Sequence, residues 1–175
     1  ATELIYRQFY EEPRYRPNVM MRARMEAGML GRKTKRGFYD YSSGKQDFPE
    51  EAPYPEYDGR PVWISREEAD GHAVLTEIVS KIGGNLETGD SPGKNALILV
   101  TPIGDDVTTT AVAQGLDPAR TLGVDTLVGL ATRRTIMTNP ATEPAYRDAA
   151  HGLLTGDGVK ATVIRDCPGF VCQRI

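Results

Sequence analysis

The 175-residue sequence is poor in the residue types that carry most side-chain chemistry, with two histidines, two cysteines and one tryptophan. Cys167 and Cys172 stand near the C-terminal end with no histidine beside them, too few ligands for a four-coordinate zinc site, and read as reduced thiols. No apolar run approaches the roughly 20 residues that a membrane-spanning helix requires. The start, ATELIYRQFY, has no basic region leading into an apolar core, so a secretory signal is not expected. A first residue Ala rather than Met is what a fragment or a processed chain would show. These features predict a cytoplasmic protein without a membrane partner. A net charge of −3 argues against a dedicated nucleic-acid binder.

Phosphate-binding loops are missing as well, although three stretches imitate them. Gly89-Asp90-Ser91-Pro92-Gly93-Lys94 is one residue short of a P-loop and ends in Asn95 rather than Ser or Thr, so it reads as a turn. Gly156-Asp157-Gly158-Val159-Lys160-Ala161 precedes a strand instead of following one, which suits a helix end and not a dinucleotide grip. The turn Arg66-Glu67-Glu68-Ala69-Asp70-Gly71 does follow a strand, but its single glycine and three acids would repel a pyrophosphate. His72 and His151 have no Ser, Cys or carboxylate at a relay spacing and read as surface or capping residues. Adjacent acids such as Glu67-Glu68 and Asp105-Asp106 point apart, with Asp105 a candidate cap for the helix that follows.

What is present suits one soluble domain with an appendage, at 39% hydrophobic and 26% charged residues. Residues 1–48 carry ten basic against six acidic residues, and the remainder eleven against eighteen. In this first part Leu4, Ile5 and Phe9 fit a short helix, Pro17 marks a helix start, and Val19 to Leu30 forms an amphipathic helix stopped by Gly28 and Gly31. A short extended stretch, Gly37 to Tyr41, closes it. Residues 49–61, with four prolines and four acids, read as an extended linker. Residues 62–166 alternate strands and helices. Strands are expected at Val62–Ser65, Asn85–Thr88, Ala96–Val100, Thr121–Leu127, Thr135–Thr138 and Ala161–Arg165. Helices are expected through Val74 to Ile82, over Val107–Gln114, and from Thr142-Pro144 to Leu154. That alternation predicts an α/β fold with a mostly parallel sheet. Residues 167–175 leave Phe170, Val171 and Ile175 with nothing of their own to pack on, as expected of an element cut short.

Two stretches carry a resemblance. Residues 28–41, GMLGRKTKRGFYDY, resemble the G-x-L-G-x-K-T-G-x-G-F-Y-D-Y segment that closes the first C-terminal helical domain of 3-hydroxyacyl-CoA dehydrogenases. Residues 166–175, DCPGFVCQRI, resemble the D-x-P-G-F-V-x-N-R-I junction between that family's dinucleotide domain and a helical domain. Their order here matches the longer bacterial type with two helical C-terminal domains. The resemblance implies that residues 1–48 end the first helical domain, that 62–166 are a shortened, degenerate Rossmann-like domain, and that 167–175 open the second helical domain.

By the same resemblance the parent enzyme is an NAD-dependent oxidoreductase of fatty acid metabolism, a homo-oligomer that oxidises a 3-hydroxyacyl-CoA to its 3-oxoacyl-CoA. Within Arg120 to Asp125, the strand that delivers the family's catalytic histidine, Asp125 holds the histidine place and Val128 that of its asparagine companion. Met137 stands for the glutamate that orients the histidine, and Asp90 for the acid that meets the adenine ribose. An aspartate, with an ordinary pKa of about 3.9, is a poor base near neutrality, and a methionine orients nothing. The expectation is an inactive, structural fragment with no catalytic, cofactor-binding or metal residues and no NAD bound. The alternative is a non-catalytic module that holds CoA or a partner on the basic segment Arg22, Arg24, Arg32, Lys33, Lys35 and Arg36.

Overall fold

The computed structural model describes residues 2–48 and 50–173. Pro49, where the expected linker begins, and Ile175 lie outside the described residues. The chain divides into two compact units, Ala1–Ala52 and Pro53–Ile175. In the first, helix α1 covers Thr2–Gln8 and helix α2 covers Val19–Glu26. Asn18, not Pro17, starts α2: its Oδ1 accepts the Met20 N–H at 2.9 Å, satisfying one of the free donors at the helix end. The helix stops at Glu26 rather than at Leu30, because Gly28 takes a positive φ of 71°. Residues 37–41 form no strand. Single bridges join Arg36 to Asp40 and Asp40 to Asp47 instead. Met20, Met21, Met25 and Phe38 are exposed, and among the unit's described residues only Gly37 is buried.

The second unit is an α/β layer fold. Its strands are β1 (Val62–Ile64), β2 (Leu97–Val100), β3 (Thr121–Val124), β4 (Arg133–Thr138) and β5 (Lys160–Ile164). They lie in the order β1-β2-β3-β4-β5, all neighbours parallel except the antiparallel pair β3 and β4. A parallel pair needs a crossover of a dozen or more residues, and the connection 125–132 is too short for one. Its helices are α3 (Ala69–Ile82), α4 (Val107–Ala113) and α5 (Pro144–Thr155). The expected strand Asn85–Thr88 shrinks to one parallel bridge, Leu86 to Val62, because its lone apolar residue is all that packs on the core. The expected strand Thr121–Leu127 ends at Val124, where the chain turns back towards β4.

Alternation along the strands fills two layers. Val62, Ile64, Leu97, Leu99, Leu122, Val124 and Ile136 face α3 and α5, meeting Leu75, Val79, Leu153 and Leu154. Trp63, Ala96 and Ile98 form one cluster of the opposite layer, and Val100, Val107, Met137 and Phe170 another. Phe170 therefore does not wait for a further element: its ring is fully buried in this unit, while Val171 is half exposed. Helix α3 ends on Gly83 in the left-handed conformation, as its glycine pair suggests. Residues 53–61 form no regular element but lie on α5, whose Gly152 leaves room for the backbone of Pro55 to Tyr57. Arg60 stacks on Tyr146, 4.1 Å from the ring centre.

Asn139 ties the β4 end to the turn before β3. Its Nδ2 donates to the carbonyls of Pro118 and Thr121 at 2.8 and 2.9 Å, and its Oδ1 accepts the Ala141 N–H at 2.8 Å. With the residue only 6% exposed, Asn139→Ala leaves these groups short of partners and is expected to cost about 1–3 kcal/mol. Asn139→Asp cannot donate and should cost a similar amount. Thermal unfolding followed by circular dichroism checks both, and unchanged midpoints would refute this role.

Candidate functional site

A large cleft follows from where the chain reverses across the sheet. From β1 the chain passes through α3 and returns at Leu86 on one side of β1, then forms β2 on the other side. Open α/β sheets bind ligands outside the carboxyl ends of their strands at such a switch point. A cleft of about 860 Å³ opens there, with Trp63, Ser65, Thr101 and Gln114 among its lining. Ser65 is buried and donates to Gln114 Oε1 at 2.6 Å.

The cleft's charge suits no anion. Its lining contains Glu67, Glu68, Asp90, Asp105 and Asp117 against Arg66 and Arg120. Both guanidiniums are already engaged. Arg66 Nη1 lies 2.8 Å from Asp90 Oδ1, and Arg120 Nε lies 2.9 Å from Asp117 Oδ2. The hydrogen bond from Arg120 holds the Asp117 carboxyl below its ordinary value, so the pair stays charged and self-contained. Among the described residues, Glu67, Glu68 and Asp105 have no ion-pair partner.

The turn between β1 and α3 departs from the dinucleotide fingerprint. In the G-x-G-x-x-G fingerprint the first glycine makes the tight turn, the second lets backbone approach the pyrophosphate, and the third lets helix and strand pack closely. Gly71 holds the third place. It is buried, and a Cβ there would stand 2.4 Å from Thr101 Oγ1. Counting back along the chain, the first two places hold Arg66 and Glu68. Glu68 is also the residue that opens α3, so an acidic residue stands at the helix start where the fingerprint has a glycine. Asp90, which the resemblance sets against the adenine ribose, is fully exposed and paired with Arg66.

Asp125, for which the resemblance implies the place of the family's base, has its own partners in this structure. Asp125 sits just beyond β3, is 2% exposed, and accepts at Oδ1 both the Leu127 N–H and Gln173 Nε2, each at 3.0 Å. Gln173 also accepts the Gly104 N–H at 2.9 Å through Oε1. Met137 is buried among apolar groups, its sulfur accepting the Cys167 N–H at 3.2 Å, and Val128 is exposed. Among the described residues, Asp125, Val128 and Met137 make no hydrogen bond to one another. Nothing in the sequence pattern marks Gln173 as the partner of a residue 48 positions earlier. The Q in DCPGFVCQRI, where the junction motif has N, was the available signal.

Other candidates fall to structural roles. The cap of α4 is Asp106, not Asp105: it accepts the Thr109 N–H at 2.7 Å, while Asp166 accepts the Val107 N–H at 2.9 Å. His151 places Nε2 3.3 Å from the Ala161 carbonyl and its ring edge-on to Tyr54. In the basic segment, Arg22 is paired with Glu3, and Arg24 donates to the Gly37 carbonyl at 2.6 Å and stacks on Phe38. Arg32 lies over the Tyr41 ring. Half of that segment is thus spent on its own unit. Among the described residues no cluster of His, Cys, Asp and Glu could hold a metal ion, and no helix is long and apolar enough to cross a membrane.

Comparison with known proteins completes the picture. No curated protein sequence matches the chain. Among solved structures, 3-hydroxybutyryl-CoA dehydrogenase from Escherichia coli K12 aligns over 99% of this chain at 17% identity, with a TM-score of 0.54. At that identity the likeness speaks for the fold, and the chain spans 31% of that protein. A 3-hydroxyacyl-CoA dehydrogenase from Archaeoglobus fulgidus aligns over 63% of the chain and 36% of its own length, at 18% identity and a TM-score of 0.40. The family model described as 3-hydroxyacyl-CoA dehydrogenase, C-terminal domain, matches residues 1–41. Residues 1–41 thus match the C-terminal domain of 3-hydroxyacyl-CoA dehydrogenases, and the chain shares its fold with a solved 3-hydroxybutyryl-CoA dehydrogenase.

Proposed function

We propose that this chain is part of an NAD-dependent 3-hydroxyacyl-CoA dehydrogenase and that its α/β unit is a non-catalytic scaffold within that enzyme. The observation that carries this reading is the state of Asp125. In the place of the base stands a buried carboxylate whose Oδ1 is spent on the Leu127 N–H and the Gln173 amide. A group that must take a proton from a substrate hydroxyl has to present a free lone pair within hydrogen-bond reach of it. The acidic turn at Arg66 to Glu68 supports the same reading, since hydride transfer requires a bound nicotinamide and this turn repels its phosphates.

Calorimetric titration of the 175-residue chain with NADH, alone and with acetoacetyl-CoA, is expected to give no binding heat. Saturable NADH binding would overturn the scaffold reading, and Asp90 and Asp125 would then be the first residues to change.

A second reading has one observation in its favour. Lys33, Lys35 and Arg36 follow one another closely around the 3-10 turn Arg32–Thr34 and are exposed. Three exposed cations on one turn suit the phosphates of CoA. Acyl-CoA binding lost on charge reversal at all three would support that module, and binding unchanged by it would exclude it.

A further inference from the structure

We infer that the cleft beside α4 is a binding site for a linear organic polyamine of three positive charges. The inference goes beyond the scaffold reading, which needs no ligand in this unit, and either can fail without the other.

The cavity itself comes first. At about 860 Å³ the cleft has the volume of a small-molecule pocket, and it lies at the switch point of the sheet. Trp63, Pro92, Ile103 and Leu116 in its lining offer apolar surface for methylene segments. Trp63 is buried and fixed in place, its indole N–H donating to the Gly89 carbonyl at 2.9 Å.

Charge then selects the ligand. Of the five carboxylates in the lining, Asp90 and Asp117 are neutralised by Arg66 and Arg120. Glu67, Glu68 and Asp105 remain and leave the cleft a charge of −3. Helix ends do not use them up: Glu68 makes no capping hydrogen bond to α3, and the caps of α4 are Asp106 and Asp166. Thr101 is an independent pointer. It lines the cleft and is 4% exposed, yet its Oγ1 has no hydrogen-bond partner among the described residues. A buried hydroxyl oxygen without a partner calls for a donor. An ammonium group carries donors only, so it answers both the carboxylates and this oxygen. A trivalent amine matches the charge of the cleft, and its carbon chain matches the apolar part of the walls.

Spermidine is the probe, titrated into the full chain by calorimetry and by fluorescence. Trp63 is the chain's single tryptophan, so its emission reports on the cleft directly. The expected result is saturable binding at one site, with a change in Trp63 emission that follows the heat. Glu67→Gln combined with Glu68→Gln and Asp105→Asn should weaken binding about ten-fold, because partly exposed charge contacts are each worth a few-fold. Glu11→Gln combined with Glu26→Gln and Glu50→Gln removes the same charge from exposed residues outside the cleft. That control should bind within about two-fold of the wild type, since salt screens distant charges. Trp63 emission without spermidine checks that both variants are folded. No saturable binding by the wild type would overturn the inference, and so would an equal loss of affinity in the two variants.

Discussion

Replacing Gly152 by alanine is expected to destabilise the α/β unit by about 1–3 kcal/mol or more, although the same change in an ordinary helix is favourable. Gly152 lies within α5, where alanine would normally gain about 1 kcal/mol over glycine. The surroundings reverse that sign. A Cβ built there stands 2.6 Å from the Pro55 carbonyl oxygen, 2.6 Å from the Tyr57 nitrogen and 2.7 Å from the Glu56 carbonyl carbon. All three are backbone atoms, so no rotamer change relieves the clash and the strap 53–61 must lift from the helix. Lifting it would also undo the Arg60–Tyr146 stack and the Tyr54–His151 contact. In a protein of this size each kcal/mol lowers the melting temperature by roughly 2–4 °C, so the loss is measurable by calorimetry. Gly158→Ala is no substitute control, because its φ of 82° brings strain of a different kind. An unchanged or raised midpoint in Gly152→Ala would show that the strap does not hold α5.

That strap marks the limit of what the sequence discloses about the fold. The continuous apolar run Ala96 to Val100 betrays a strand buried on both faces, and the buried β2 is there. Leu75 and Val79 lie at helical spacing, and they are the apolar side chains α3 buries. Such features are local and periodic, which is why they are legible. The strap has no period: three prolines and two acids describe a linker as well as they describe an extended segment bound to a helix. Only Gly152, far along the chain, records the contact, and a glycine in a helix carries no address.

The same reasoning covers the candidate site. The replacements at Asp125 and Met137 can be read by position, and so can the loss of glycines before α3. What Asp125 does instead depends on Gln173, which meets it only after β4, α5 and β5 have folded the chain back. The cap of α4 has the same cause. Asp105 and Asp106 are neighbours that sequence does not separate, and the second capping carboxylate, Asp166, comes from beyond β5.

Arg134 is expected to be the other site of large loss, because it is a buried cation that closes the far end of the sheet. It is 3% exposed and lies in β4, where its Nη1 donates to the Leu154 carbonyl at 2.6 Å and to Asp157 Oδ1 at 2.7 Å. Its Nη2 donates to Asp157 Oδ2 at 2.7 Å, and its Nε to the Leu130 carbonyl at 3.2 Å. Leu154 is in the last turn of α5, so the guanidinium also answers the negative end of that helix. Arg134→Met keeps the apolar bulk but leaves Asp157 charged beside that helix end. Removing one partner of a buried pair costs about 3–5 kcal/mol, and the lower end applies because Asp157 keeps part of its surface in water. Arg134→Met with Asp157→Asn should recover part of the loss.

Acid separates the charge from the packing. The hydrogen bonds from Arg134 hold the Asp157 carboxyl below its ordinary value in the folded protein. Its contribution is therefore complete above the unfolded value of about 3.9 and is lost as pH falls through the lower folded value. Urea unfolding of wild type and Arg134→Met from pH 7 to pH 3 should show a constant gap near neutrality that narrows below about pH 4, as Asp157 takes up its proton. A gap of the same size across the whole range would mean that packing around Arg134, and not its charge, is what the substitution removes.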